Sequence, residues 1–177
     1  MFKLLYDPVV EIRQIRKPSF AKLLLYLLTA SLFETVGVLF FAWHYFSGAL
    51  SQSVVVNGVC ALLFGLIVVH LFVAFFFSVA MHVLDGRGGY YEGLAVVVLS
   101  MVAPAVMTFF AGAFTFIPLG KFVSVLLLIF GYVIGFSTFF RAGKDLFGLD
   151  YSGVLVGFLA TVIPFALAVC GAVMMLK

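Results

Sequence analysis

Five long apolar runs, separated by short polar segments, constrain this chain more than any other feature. Each run is close to or above the roughly 20 residues that a helix needs to cross a bilayer core of about 30 Å. Because lipid offers no partner to an unpaired backbone group, such runs predict membrane-spanning helices. We therefore expect an all-α polytopic membrane protein with five spans, at residues 23–46, 54–84, 93–117, 122–140 and 152–176.

The composition excludes a water-soluble domain. Hydrophobic residues make up 66% of the 177 residues and charged residues only 10%, whereas a typical soluble domain has about 25% charged residues. The net charge of +3 does not indicate nucleic-acid binding, because the basic residues lie between apolar runs instead of forming a stripe. We expect the lipid bilayer, and no nucleic acid, as a partner.

Residues 1–22 predict a short arm on the membrane surface. Asp7 can cap a helix that has Pro8 at its first position, and Arg16 and Lys17 lie near its carboxyl end. Such an amphipathic helix lies in the interface with its basic residues toward anionic headgroups. The alternative is a floppy basic tail that only sets the topology.

The basic residues predict the orientation of the spans. Five spans place the two termini on opposite sides of the membrane, and cytoplasmic segments carry an excess of Lys and Arg. With the N-terminus inside, only Lys121 and Lys177 lie outside. We therefore expect a cell-membrane protein, in the inner membrane if the source is a bacterium, with a cytoplasmic N-terminus and an outer C-terminus. The basic residues then inside are Lys3, Arg13, Arg16, Lys17, Lys22, Arg87, Arg141 and Lys144.

Two ionisable residues lie near the middle of spans, Glu34 in the first and His70 in the second. A residue of this kind is costly in lipid and is a functional candidate by default. Neighbouring spans joined by a short loop are normally antiparallel, so the two side chains can meet at mid-depth. Three interpretations are open: an uncharged Glu34 that donates a hydrogen bond to His70 or to a backbone carbonyl, a proton or cation relay, and a polar face for a partner helix.

Pairs of small residues four positions apart indicate close helix packing. Gly135 and Gly157 lie at about the same depth, which predicts a tight antiparallel hairpin of the last two spans. The motif does not tell whether the partner helix belongs to the same chain, so a homo-oligomer is also open. The pairs are Ala61 and Gly65, Gly131 and Gly135, and Gly153 and Gly157.

The sharpest polar interruption is the segment 84–92. Its sequence from Asp85 to Gly89 lacks the GxxxxGK[ST] pattern and the preceding strand of a phosphate-binding loop, so we interpret it as a glycine turn between spans. The alternative is that Arg87 contacts a headgroup or a partner. A candidate cytoplasmic interaction face comprises Arg16, Lys17, Arg87, Tyr90, Tyr91, Arg141 and Lys144.

Signs of catalysis or of a bound cofactor are missing from the sequence. It has no nucleophile with a base and an acid, no paired catalytic carboxylates and no cofactor fingerprint. His44 has no partner at metal-ligand spacing, and Cys60 and Cys170 lie inside apolar runs, where we expect buried, inert thiols. We expect neither an enzyme, nor a cofactor, nor a metal site.

Several short motifs follow one another along nearly the whole chain. They are Asp7-Pro8, Arg16-Lys17-Pro18, His82 at the end of the second span, the glycine-rich Asp85–Gly89, Tyr91, Pro104 in the third span, and Ile117-Pro118-Leu119-Gly120. In this order the chain resembles prokaryotic members of the Yip domain family, relatives of the eukaryotic Ypt/Rab-interacting proteins. The resemblance implies a five-span protein with a cytoplasmic N-terminus and a non-enzymatic role in organising membranes or binding other membrane proteins. Eukaryotic relatives carry a long N-terminal region that this chain lacks, so Rab binding is not carried over.

Two hypotheses for function follow. The first is a Yip-like module that organises membranes or binds proteins and lipids. The second is a small transporter or channel with a proton or cation pathway at Glu34 and His70. A transport pathway requires further polar side chains around the same cavity, and the spans offer Ser100, Thr108, Tyr132 and Thr161.

Overall fold

A computed structural model describes residues 19–46 and 52–175 of the chain. The predicted arm falls mostly outside these ranges, and so do Arg16 and Lys17. Over the described ranges the chain is helical and contains no strand. Its helices are α1 (Phe20–Phe46), α2 (Gln52–Val83), α3 (Tyr90–Phe114), α4 (Gly120–Phe147) and α5 (Tyr151–Met175).

The length and composition of the helices confirm an all-α protein suited to a membrane. Helices α1 to α4 are each long and apolar enough to cross a bilayer, and in α5 the segment Tyr151–Leu167 forms a shorter apolar helix. Two helices extend beyond the predicted spans. Helix α1 begins at Phe20, inside the predicted arm, and α4 continues past residue 140 to Phe147. The polar residues there lower the hydropathy without ending the helix.

Helix α3 also begins earlier than predicted, at Tyr90. The Glu92 carboxylate accepts a hydrogen bond of 2.8 Å from the Gly89 N–H. This contact provides a partner for one of the backbone donors that a helix start leaves free. The glycine turn is therefore shorter than the segment 84–92, and Asp85 within it has a left-handed backbone with φ of 61°.

Helix α3 lies at the centre of the bundle. It packs along α1 and α4 and also contacts α2, while α5 packs on α2 and α4. Helix α1 approaches α3 most closely at Gly37, where an added Cβ would lie 2.6 Å from the carbonyl carbon and oxygen of Thr108. The side chain of Ser124 in α4 donates a hydrogen bond of 2.6 Å to the Ala111 carbonyl of α3. Absent or small side chains thus let neighbouring backbones touch.

The last two helices pack on each other, but the predicted contact between Gly135 and Gly157 was wrong. Gly135 faces α3, where an added Cβ would lie 2.6 Å from Pro104 Cγ, while Gly157 faces α2, 2.6 Å from Met81 Sδ. Gly131 likewise packs on α3, against Met107. Equal depth does not fix the direction in which a glycine points around its helix, and the two glycines point to different neighbours.

In the other two small-residue pairs, only Gly157 contacts another helix closely. An added Cβ at Gly65 would meet nothing within 4 Å among the described residues, and Ala61 is exposed on the same helix. Gly153 lies closest to the turn just before α5. Cys60 and Cys170 are also exposed. The described helices of this chain therefore do not bury the two thiols, contrary to the expectation from the sequence.

One end of the bundle holds a cluster of buried phenylalanines. Phe77 of α2 contacts Phe139 and Phe147 of α4, with ring centroids 4.7 and 5.6 Å apart. The Arg87 N–H donates a hydrogen bond of 3.0 Å to the Phe147 carbonyl and fastens the glycine turn to the end of α4. We call this end, where the turn 84–89 meets the end of α4 and the start of α5, the turn end.

Candidate functional site

A cavity of about 250 Å³ lies between the helices. All five helices contribute to its wall, which is mainly apolar. It lies between the turn end and the opposite end of the bundle, since Glu34 and His70 are near the middle of their helices. The lining residues are Glu34, Val69, His70, Val73, Val97, Ser100, Met101, Pro104, Tyr132, Gly135, Phe136, Phe139 and Phe158.

The structure brings Glu34 and His70 to this one cavity, as the antiparallel arrangement of the first two spans predicts. His70 is 8% exposed. Glu34 Oε2 and His70 Nδ1 are both buried, and neither has a hydrogen-bond partner among the described residues. These two atoms therefore do not bond to each other, and Oε2 does not bond to a carbonyl. Leaving such groups unpaired costs about 1–3 kcal/mol each, and more for a charged group.

Ser100 and Pro104 add polar atoms to the wall from α3. The Ser100 hydroxyl donates a hydrogen bond of 2.8 Å to the Val97 carbonyl, which leaves its oxygen free to accept. Pro104 has no N–H, so the Ser100 carbonyl lacks its usual helical partner. That carbonyl oxygen would lie only 2.8 Å from a Cβ at Gly135, so the backbone of α4 packs directly against it.

The remaining wall is aromatic and reaches the outer surface of the bundle. Phe158 lies between Phe136 and Phe139, with ring centroids 5.9 and 5.3 Å away. Tyr132 and Phe136 of α4 are each 49% exposed, and Val69 of α2 is also exposed. Helices α2 and α4 make few direct contacts with each other. The exposed lining residues therefore place the opening of the cavity at the surface between α2 and α4.

Two of the four further polar residues meet Glu34 and His70. Ser100 and Tyr132 line the cavity, whereas Thr108 and Thr161 do not. The Thr161 hydroxyl donates a hydrogen bond of 2.8 Å to a carbonyl of its own helix. The aromatic wall was missed by the sequence argument, because Phe139 and Phe158 are indistinguishable there from the many lipid-facing phenylalanines.

The described members of the candidate interaction face share the turn end. Arg87, Arg141 and Lys144 are exposed, and the Lys144 ammonium lies 4.5 Å from the centroid of the Tyr151 ring. Tyr90 is 42% exposed. Tyr91 differs from the others, because its hydroxyl is buried without a partner and its ring packs against the core.

The polar groups that the described residues place in the cavity include one acidic side chain and no lysine or arginine. The polar atoms are a carboxylate, an imidazole nitrogen, a phenol and the oxygens of Ser100. In the described ranges, no group of three or more His, Cys, Asp or Glu residues could hold a metal ion.

Comparison with known protein families, with curated proteins and with solved structures found no match to this chain. The resemblance to the Yip domain family therefore stays a prediction. The function has to be argued from the cavity itself.

Proposed function

We propose that the protein is a small membrane transporter in which a proton or a cation passes Glu34 and His70. One observation carries the proposal: polar side chains from four helices, Glu34, His70, Ser100 and Tyr132, line a single cavity. Ionisable residues are rare inside membranes because they are costly there, and they commonly mark ion paths. Here Glu34 Oε2 and His70 Nδ1 find no partner in the described chain, which leaves them available to a transported species.

The proposal also includes the number and the orientation of the membrane spans. Helices α1 to α5 form five spans with the N-terminus in the cytoplasm, because this orientation keeps most basic residues inside. The turn end, with Arg87, Arg141 and Lys144, then faces the cytoplasm. Glu34 and His70 lie near the bilayer midplane, where a coupling site serves both sides.

Proton flux in sealed proteoliposomes tests the proposal. A pH gradient drives the flux, and a dye inside the vesicles reports it. We expect a protein-dependent flux that falls at least tenfold in Glu34→Gln. Glu92→Gln is the matched control, since it makes the same chemical change outside the cavity, where an amide oxygen can still accept the Gly89 hydrogen bond. No flux above that of empty vesicles would overturn the proposal.

A Yip-like membrane-organising module is the second candidate, and a separate observation favours it. The face of α2 that carries Cys60, Ala61 and Gly65 meets no other described helix, so a partner helix or a second copy of the chain can approach it closely. Crosslinking through Cys60 in native membranes tests this candidate. A discrete crosslinked species that is lost in Gly65→Leu supports it, and lipid contacts alone would exclude it.

A further inference from the structure

We propose that the cavity binds a small organic ammonium ion with an apolar tail, and that this ion enters sideways from the bilayer. The inference rests on the proposed transport function and names its substrate class. It combines three observations about one cavity: unpaired polar atoms that can accept hydrogen bonds, an aromatic wall, and an opening at the surface between α2 and α4.

The polar atoms of the cavity match the donors of an ammonium group. Glu34 contributes carboxyl oxygens, His70 a nitrogen that accepts in one tautomer, and Ser100 a hydroxyl oxygen. A primary ammonium group has three donors and no acceptor, like the head of a lysine side chain. No lysine or arginine among the described lining residues can pair with an anion, so we expect the cavity to favour a cation.

The aromatic wall suits both parts of such a ligand. Tyr132, Phe136, Phe139 and Phe158 supply ring faces that attract a cation and apolar area that covers its tail. The volume of about 250 Å³ lies just below the roughly 300–1,000 Å³ of sites for drug-sized molecules. The ligand is therefore a small amine with one ring or a short alkyl chain.

The opening between α2 and α4 gives the ligand its route. Val69, Tyr132 and Phe136 lie both on the cavity wall and on the outer surface of the bundle. An amine with an apolar tail concentrates at the membrane interface, where its charged head stays near water and its tail enters the lipid. It can then reach Glu34 without passing through the buried phenylalanines at the turn end.

The same carboxyl group can exchange a proton for the ligand. When an ammonium ion binds to protonated Glu34, the carboxyl O–H bond breaks, the carboxylate pairs with the ammonium, and one proton leaves to solvent. The titratable groups that face Glu34 in the cavity are His70 from α2 and Tyr132 from α4, while the lining residues of α3 and α5 include none. Binding should thus release about one proton per ligand and strengthen as the pH rises.

Titration calorimetry on the full chain in detergent tests this inference. The probes are phenylbutylamine, phenylbutanol and phenylbutyrate, which share a tail and differ in their head group, in buffers of different ionisation enthalpy. We expect the amine to bind at least tenfold more tightly than the alcohol, with proton release, and the carboxylate not to bind. Glu34→Gln should weaken amine binding at least tenfold, and Glu92→Gln should leave it unchanged.

A second variant keeps the test decisive if Glu34→Gln fails to fold. Phe136→Ala changes a half-exposed side chain of the wall and should weaken amine binding several-fold. Equal binding of amine and alcohol, or full binding by Glu34→Gln, would overturn the inference. Proton flux that depends on Glu34, without selective binding of the amine, would contradict the ligand class and still support transport. Selective binding of the amine without any proton flux would support the ligand class and contradict transport.

Discussion

Helices α2 and α3 are both strongly apolar, and they occupy opposite positions in the bundle. Helix α2 has the higher mean hydropathy, yet only 11% of its most apolar segment is buried, against 72% in α3. The difference lies in whether small side chains meet a neighbouring helix, since α2 also carries small residues, Ala61 and Gly65, that no described helix contacts. Helix α3 contributes buried small residues such as Gly93, Ala95, Ala103, Ala105 and Gly112, while the outer face of α2 carries exposed phenylalanines. Lipid is as apolar as a core, so close packing of small residues, and not hydropathy, selects the central helix.

Helix α2 itself divides into two parts. Toward the turn end, Ala74, Phe77 and Met81 are fully buried against α3, α4 and α5. Toward its start, a Cβ added at Gly58 or Gly65 would have no other described atom of the structure within 4 Å. His70 lies between the open part and the buried part of α2. The cavity is found at this position. The site thus occupies the boundary between protein packing and lipid.

The largest expected effect is that of Gly37→Ala. The added Cβ would lie within 2.7 Å of three backbone atoms of Thr108 and Phe109, and backbone cannot move aside as a flexible side chain does. We expect α1 to separate from α3 and the free energy of unfolding to fall by about 3 kcal/mol or more. The measurement is equilibrium unfolding in mixed micelles.

Gly65→Ala is the matched control for Gly37→Ala. It makes the same change in the middle of α2, where the added Cβ would have open space around it. Alanine is also more favourable than glycine in a helix by about 1 kcal/mol. Stability should be unchanged or higher. Equal losses in the two variants would show that the contrast between the helix faces is not what holds the bundle together.

Gly135→Ala should have the next largest effect. Its Cβ would lie 2.6 Å from Pro104 Cγ and 2.8 Å from the Ser100 carbonyl oxygen, and a proline ring yields little. We expect a loss of about 1–3 kcal/mol, together with lower proton flux because α4 moves relative to the cavity wall. Gly58→Ala, on the open part of α2, is the control for both measurements, and a normal flux in Gly135→Ala would contradict the assignment.

The sequence predicted the helices well and their contacts poorly. Long apolar runs identify helices because a bilayer demands both length and internal hydrogen bonding, and Glu34 and His70 stood out because lipid penalises charge. Gly37 carried no pair motif, although a glycine inside a helix often has a packing reason. The direction in which Gly135 points depends on how the helices rotate against one another, and a list of spacings does not contain that angle.

A smaller effect is expected at Asp150, which stands before α5. Its carboxylate accepts hydrogen bonds of 2.8 Å from the Gly153 N–H and 2.9 Å from the Ser152 hydroxyl, and these bonds hold its pKa below the usual value. The stabilisation is therefore present above the ordinary carboxyl pKa and is lost as the pH falls through the folded pKa. Helix α5 packs on the buried part of α2 through Gly157 and Met81, so the cap supports that contact.

Asp150→Ala removes the cap and should lower the thermal unfolding midpoint at neutral pH by a few degrees. Asp150→Asn keeps an acceptor oxygen and should lower the midpoint less. Because the amide does not titrate, this variant should also lose the part of the acid destabilisation that comes from Asp150. Thermal unfolding in detergent over a pH series gives both results. If both variants lose stability at acid pH as the native chain does, the Asp150 cap does not contribute to the stability of the bundle.

The smallest effect is expected on the outer face of α2, and it bears most directly on the comparison. Ala61 is exposed and Gly65 has open space, so Ala61→Leu and Gly65→Leu should each change stability in detergent by less than about 0.5 kcal/mol. In native membranes the same variants should leave proton flux intact if lipid alone covers this face. If they instead abolish a Cys60 crosslink while the detergent stability stays normal, the face packs against another membrane protein or a second copy. Helix α2 would then be a central helix of a larger assembly, as α3 is of the single chain.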